Sequence, residues 1–414
     1  MRQMIHEKEQ RIDLYLKFFV KWTALALLAG VVCGGVGAVF HHLVELAGAL
    51  FAGHSWLLYL LPVSGLGVVS VYRMFGAEPE EGANLVIRSL RTGNPVPPTA
   101  AARVFVSTVL THLCGGSAGR EGAALIIGAG MVTYFERLFH LSERAKKKMT
   151  MCGMSALFSA VFGTPVAAAL FSMEVSSVGV LQYTALYPCL AASLTAWWVS
   201  SLLRTEGVSM PRIAYPSAGP GMLLRVAVLA LLCAACAILF LSVVHFAAHQ
   251  FQRRFENPYI RIVAGSLLVI ILTLLLGRDY NGAGMGIAAQ AVAGQAVPWA
   301  FLAKILLTAV TIGAGFKGGE IVPAFFIGAT FGCTVGPLLG LAPGFAAAIG
   351  MVALFCSVVN CPAASIVLAV ELFGGEGLWF FAAACALSYL MSGHYTLYAE
   401  QKFVNSKLEE NVDY

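Results

Sequence analysis

Two stretches of this chain, 197 residues apart, repeat one another, and that repeat constrains the fold more than any other feature. Laid in register, MSALFSAVFGTPVAAALFSME (154–174) and MVALFCSVVNCPAASIVLAVE (351–371) share Met154/Met351, Ala156/Ala353, Leu157/Leu354, Phe158/Phe355, Val161/Val358, Pro165/Pro362, Ala167/Ala364 and Glu174/Glu371. A glycine-rich stretch carrying a carboxylate precedes each copy. It reads GSAGREGAALIIGAG in the first and GFKGGEIVPAFFIGATFG in the second, with Glu121 and Glu320 near the same offset. Self-similarity on this scale implies two related halves, residues 21–205 and 215–402.

The repeated units are apolar throughout. Charged residues make up 11% of the 414 and hydrophobic residues 59%, whereas a soluble domain is about one quarter charged. Most of the surface must therefore face lipid or other buried helices, which defines an all-α polytopic membrane protein. A spanning helix needs roughly 20 apolar residues, and such windows recur at 22–40, 101–114, 154–173, 184–203, 222–248, 260–277, 300–315, 345–372 and 377–392. Several are too short or too broken by glycine to cross upright. Residues 1–20 are charged and lack a small-residue cleavage site, so they read as a retained amphipathic helix on the cytoplasmic surface. The cluster SERAKKKM (142–149) marks a cytoplasmic loop by the positive-inside rule. It is an orientation signal, and no nucleic-acid partner is expected. The last span is followed by a short polar cytoplasmic tail, 403–414, with no soluble regulatory domain. The ten cysteines, among them Cys33, Cys114, Cys152, Cys356 and Cys361, lie within apolar runs without a paired framework. They read as buried thiols, with no metal site and no cofactor.

In this setting the stretch GGSAGREGA (115–123) is conspicuous, because it places Arg120 and Glu121 side by side between glycines. Non-helical backbone at membrane depth is tolerated only where protein buries it or where it lines a watery cavity. Glycines permit the turns and close approaches this requires. The following run, EGAALIIGAGMVTYFERLF, has helix-forming character, which puts Glu121 at a helix N-terminus, where unpaired N–H groups and the positive dipole end favour an anion. Four glycine-rich breaks could each supply such an N-terminus: before Leu85, at Glu121, at Ile321 and near Leu397. Converging on one point, they would bind an anion without a buried full positive charge. A carboxylate planted there can occupy the site when ionised and vacate it when protonated. Repeated halves with interrupted helices in matching places point the same way, to a transporter with its site between the halves.

Other readings of these residues compete. Glu121 could be a structural cap paired with Arg120. GGSAG matches the G-x-S-x-G nucleophile elbow, but that motif needs a preceding strand and downstream acid and histidine partners, and the preceding run VFVSTVLTHL is membrane-length. No G-K-[ST] follows the glycines as a phosphate-binding loop requires. An enzyme is not expected.

GSAGREGAA resembles the G-[KR]-E-G-P signature of the CLC family of anion channels and anion/proton antiporters, with Ala123 in place of the proline. GGEIVPAFFIGATFG is similar to its G-x-F-x-P segment, FGTPVAAALFSMEV to its following helix pair, and GHYTLYAEQ to its final helix with a pathway tyrosine. The four matches fall in the family's order and extend from about 25 to 402. The resemblance implies a CLC-type fold of many tilted and broken helices in two inverted-topology halves. It also implies a homodimer with one pathway per subunit in the plasma or inner membrane.

By position, the resemblance implies that Glu121 is the external gating, proton-exchanging glutamate and that Tyr398 donates its hydroxyl to the central anion. It implies that Gly119, Arg120, Gly122, Ile321, Val322, Ala83 and Asn84 surround that anion. The family's serine loop is replaced by Gly82-Ala83-Asn84-Leu85-Val86, without the hydroxyl. The phenylalanine of G-x-F-x-P is Ile321, preceded by Glu320. Where the family's chloride/proton antiporters often carry two successive glutamates, Glu174 is followed by Val175. These departures resemble the fluoride-exporting branch, which exchanges fluoride for protons; the alternative is a chloride channel or chloride/proton antiporter. Glu320 is the candidate for the proton route that Val175 cannot supply. Two like charges about 5 Å apart repel by roughly 3 kcal/mol at an effective dielectric of 20, so a carboxylate there tolerates an anion only when protonated. Glu174 and Glu371, at matching helix ends, read as structural acids.

Overall fold

The computed structural model describes residues 2–76, 82–205 and 207–407, with side chains from residue 12 onward. The expectations placed on Met1 and on the tail from residue 408 lie outside these residues. Among the described residues the chain forms sixteen α-helices. The first half holds α1 (Arg2–Gly53), α2 (Leu61–Met74), α3 (Asn84–Thr92), α4 (Pro98–Leu113), α5 (Glu121–Leu138), α6 (Glu143–Phe162), α7 (Pro165–Glu174) and α8 (Leu186–Leu202). The second holds α9 (Pro220–Arg254), α10 (Pro258–Leu276), α11 (Met285–Val292), α12 (Ala300–Gly313), α13 (Ile321–Val335), α14 (Pro343–Val359), α15 (Pro362–Phe373) and α16 (Leu378–Met391). Each helix of the first half has its counterpart eight places on, and the packing repeats with it. α1 packs on α4, α6 and α8 as α9 packs on α12, α14 and α16, and α5 lies against α6 as α13 lies against α14.

The relative direction of the halves is visible in two pairs of hydrogen bonds. Glu174, the last residue of α7, accepts from the Ala363 and Ala364 N–H groups at the start of α15, at 3.2 and 2.9 Å. Glu371, near the end of α15, accepts from Val166 and Ala167 at the start of α7, at 2.9 and 2.8 Å. Each helix ends where the other begins, so they run antiparallel and the second half is inverted relative to the first. Both carboxylates satisfy N–H groups that a helix leaves orphaned in its first turn. An apolar medium supplies no hydrophobic drive between helices, and association there rests on close packing of small residues. Gly128 of α5 lies against the Gly153 carbonyl of α6, and Gly328 of α13 against the Gly350 carbonyl of α14. A Cβ at Gly128 or Gly328 would collide with the opposing backbone.

Among the described residues five helical segments are long and apolar enough to cross a membrane: Ile12–Gly53, Ser55–Met74, Pro220–Arg254, Pro258–Leu276 and Ile321–Leu339. Three expectations change. The windows 154–173 and 345–372 are not single spans. Each is broken into two helices, because Pro165 and Pro362 cannot continue a hydrogen-bonded ladder and because Gly163 (φ 80°) and Asn360 (φ 55°) turn the chain in the left-handed region. No helix starts near Leu397. α16 ends at Met391, Gly393 follows at φ 56°, and residues 394–403 run as a strap whose β2 (Lys402–Phe403) pairs in parallel with β1 (Ser177–Val178). Finally, no break falls at residue 20. α1 is one helix of 52 residues, and Ile12, Leu14, Tyr15, Leu16, Phe18, Phe19 and Val20 on it are exposed.

Candidate functional site

The site is built from two broken helix pairs. α4 ends at Leu113, Gly115 turns the chain at φ 79°, and an extended piece leads into α5 at Glu121. In the other half α12 ends at Gly313, Gly315 turns at φ 107°, and an equivalent piece leads into α13 at Ile321. The two extended pieces pair across the halves. Gly119 N–H donates to Gly319 O at 2.6 Å, and Gly319 N–H to Gly119 O at 2.7 Å. This bridge draws the N-termini of α5 and α13 together. A Cβ added at Gly122 would press on Gly319 Cα at 3.1 Å, and one added at Gly319 would collide with Gly122 N at 2.5 Å. By helix start, the counterpart of Glu121 is Ile321 and that of Arg120 is Glu320.

Glu121 is 1% exposed. Its Oε2 accepts from the Arg120 N–H at 2.9 Å, the Val322 N–H also acts on the carboxylate, and a Cβ on Gly119 would sit 2.6 Å from the same oxygen. The carboxylate thus lies over the glycine bridge and faces the first turns of both helices, where their dipoles and unpaired N–H groups favour negative charge. Neither N-cap, Arg120 or Glu320, makes a side-chain capping bond. The Arg120 guanidinium is loosely held, 3.9 Å from both Glu121 Oε1 and Glu45 Oε1. Gly119, expected among the anion donors, has its N–H engaged by Gly319; what it contributes is the absence of a side chain. Ile321 and Val322 are buried and present backbone N–H groups at the start of α13.

Cavities approach this point from two sides. One, of about 640 Å³, is lined by Glu121, Arg120, Glu45, His112, Arg278 and Asn281 among others. The second, of about 250 Å³, is lined by Ala83, Asn84, Lys317, Glu320, Leu397 and Tyr398 among others. Tyr398 is 2% exposed and its hydroxyl has no hydrogen-bond partner among the described residues. Glu320 and Glu121 both act on it electrostatically. The strap fixes this ring from both flanks. Leu397 N–H donates to Val358 O at 3.0 Å, and Gln401 Nε2 donates to Val175 O and Val359 O at 2.9 Å. Glu400 pairs with Arg88 and Arg91 of α3, both at 2.9 Å. Ala83 is the N-cap of α3, and the Asn84 Oδ1 accepts from Glu400 N–H at 3.2 Å. The Lys317 ammonium stands 4.8 Å over the Tyr72 ring.

The structure therefore gathers Gly119, Arg120, Glu121, Gly122, Glu320, Ile321, Val322, Tyr398, Ala83 and Asn84 around one axis. Glu174 and Glu371 lie elsewhere, at the α7–α15 contact. Ser117 of the GGSAG run follows a helix, and its hydroxyl is engaged with Tyr280 O and Thr308 Oγ1, at 3.0 and 3.1 Å. All ten cysteines are buried free thiols. Sequence reasoning passed over His112, Arg278, Asn281 and the fully buried Lys304, whose ammonium donates to Tyr280 O at 3.1 Å and Gly282 O at 2.6 Å. The signal for Lys304 and His112 was present, since an ionisable residue within an apolar run is functional by default.

A membrane protein with two inverted halves, broken helices meeting at its centre and a carboxylate at that meeting point is defined by geometry alone. Residues 64–393 match the voltage gated chloride channel family, and the chain belongs to it. It is 35% identical over 411 residues to a chloride/fluoride channel protein of Pseudomonas syringae pv. tomato, covering 97% of this chain and 90% of that one. Among solved structures, a CLC-type fluoride/proton antiporter superposes with a TM-score of 0.89 at 32% identity, over 93% of this chain and 98% of the other. A slow cyanobacterial chloride/proton antiporter shares the fold, with a TM-score of 0.75 at 18% identity over 90% and 94%.

Proposed function

We propose that this chain is a secondary transporter that exchanges fluoride for protons, with Glu121 as gate and proton carrier and no chemical conversion of its cargo. The observation that carries this reading is the Glu121 carboxylate over the Gly119–Gly319 bridge, in the position that two helix N-termini make favourable for an anion. Ionised, it fills that position. Protonated, it loses the charge that holds it, swings away, and frees the Arg120 and Val322 N–H groups for fluoride. The unpartnered Tyr398 hydroxyl is the donor waiting on the other side. Fluoride is small and strongly hydrated, so close backbone and hydroxyl donors suit it better than a wide polarizable pocket.

Glu320 borders the second cavity beside Tyr398 and is the proton station on that side. Glu174 holds the α15 N-terminus and Glu371 the α7 N-terminus, and neither takes part in transport. The Lys147 ammonium donates to Arg91 O, and Lys148 lies over Phe18 and Trp22 of α1. The basic cluster thus shares a face with α3, the start of α1 and the Tyr398 strap, and the positive-inside rule favours that face as cytoplasmic. Residues 1–20 and 403–414 would then flank the halves 21–205 and 215–402 on the cytoplasmic side. The resemblance to the family supports a homodimer in the plasma or inner membrane, one pathway per subunit.

The test is efflux from liposomes loaded with fluoride or chloride, followed by ion-selective electrodes while a pH electrode reads proton uptake. Fluoride efflux with stoichiometric proton uptake and little chloride efflux is expected. Equal chloride movement sinks the fluoride assignment, and efflux without proton uptake sinks the exchange.

A further inference from the structure

The larger cavity is lined by a buried histidine, His112, as well as by Glu121. His112 is the penultimate residue of α4 and is 3% exposed. Its Nδ1 lies 2.8 Å from Thr108 O. A carbonyl can only accept, so Nδ1 carries a hydrogen, and in the neutral ring Nε2 is left as a lone pair. That Nε2 has no hydrogen-bond partner among the described residues, and the ring lines the same cavity as Glu121. A buried acceptor left open costs free energy unless something occupies it in use. What an open imidazole nitrogen can take up from a neighbouring carboxyl group is a proton.

We propose that His112 Nε2 is the relay that receives the proton Glu121 releases on the side of the larger cavity. The inference rests on the proton-coupled reading above. The Glu121 O–H bond breaks as the Nε2–H bond forms, leaving a carboxylate and an imidazolium that still donates Nδ1–H to Thr108. Nε2–H then loses its proton to cavity water, which restores the starting tautomer. The groups that face this exchange are Arg120 and Glu121 at the start of α5, Glu45 and His41 on α1, Arg278 and Asp279 before α11, and Lys304 on α12. His41 Nε2 is itself held 2.8 Å from Glu45 Oε1. Burial above all, and then Arg120 and Lys304, disfavour the imidazolium, so it is short-lived and the proton is passed on. The newly charged Glu121 meanwhile returns to the helix N-termini. A histidine here separates proton transfer from the anion pathway, so that the two cargoes cross the centre in opposite directions by different groups.

The experiment uses the full chain in liposomes, with fluoride-driven proton movement recorded while the pH on the His112 side is varied and the other side is held. His112→Gln keeps a side-chain amide to meet Thr108 O, and His112→Ala opens the space. Both are expected to exchange roughly a hundredfold more slowly, to lose the pH dependence on that side while keeping it on the other, and, for His112→Ala, to recover when imidazole is added to that side alone. Parental rates in His112→Gln overturn the proposal. So does a slow variant whose pH profile keeps the parental shape and which imidazole does not rescue, because that is the behaviour of a structural residue. A parent that moves fluoride without protons instead defeats the function proposed above, and that is read before any variant is made.

Discussion

The α4–α5 break and the α12–α13 break share a backbone and differ in chemistry. Both have a helix, a left-handed glycine, an extended piece and a second helix, and they pair through Gly119 and Gly319. The first places Arg120 and Glu121 at its helix start and faces the larger cavity. The second places Glu320 and Ile321 there and faces the smaller one. Duplication supplies two converging helix N-termini, which an anion site needs. The unequal side chains then give each face its own carboxylate, and a proton route needs that difference.

The largest expected effect comes from removing the carboxylate at the centre. Glu121→Gln cannot exchange a proton and cannot compete as an anion, so proton coupling is lost altogether in liposome exchange. Normal fluoride-driven proton pumping by that variant would show that the two breaks do not divide the work as argued. Next comes the carboxylate of the second break. Glu320→Gln is expected to reduce coupled proton movement by roughly a hundredfold or more, the order contributed by a positioned proton-transfer group, while fluoride binding survives or strengthens because a like charge is gone. An unchanged exchange ratio and rate would make Glu320 a bystander, and the comparison would reduce to one working half.

The outline of this comparison could be read in the sequence because a duplicated membrane fold leaves duplicated marks. The Pro165/Pro362 and Glu174/Glu371 matches fixed the halves, and the glycines around Glu121 announced a helix start. The helix starts at Glu121 and Ile321 were legible as well, and they place Glu320 one residue ahead of its helix, at the position that Arg120 holds in the first half. The strap was not legible. YTLYAEQKF offers no period, and its course is set by Gln401 and Glu400 reaching partners some 42 to 316 positions away in sequence. The breaks within 154–173 and 345–372 were hidden by continuous apolarity, although each proline marked one.

The two halves also differ in how firmly they hold each other. Each carboxylate serves one buried N–H, Ala364 for Glu174 and Ala167 for Glu371, but Glu174 is itself 8% exposed whereas Glu371 is more open and its other partner, Val166, is 38% exposed. A hydrogen bond to a charged group contributes about 1.5–3 kcal/mol when buried and less where water can replace it. Glu174→Ala is therefore expected to destabilise the protein by about 3 kcal/mol and Glu371→Ala by about half that, read as thermal unfolding in detergent. Equal losses would mean that the two caps are energetically as symmetric as their positions.

Tyr398 carries the smallest expected effect, and it separates the strap's structural duty from the hydroxyl's. The ring is anchored through its neighbours, by Leu397 N–H, Glu400 and the Gln401 side chain, so Tyr398→Phe leaves the strap in place and removes only an oxygen that bonds to nothing within the described residues. Stability should then hardly change. If that oxygen donates to fluoride, one charge-assisted hydrogen bond is lost, worth on the order of 1 to 2 kcal/mol net, and fluoride affinity by calorimetry falls severalfold to tenfold or somewhat beyond. If Glu121 meets the anion from the other cavity, proton coupling survives in Tyr398→Phe even as affinity drops. Unchanged affinity would remove Tyr398 from the anion's contacts and leave the helix N-termini of α5 and α13 to hold it alone.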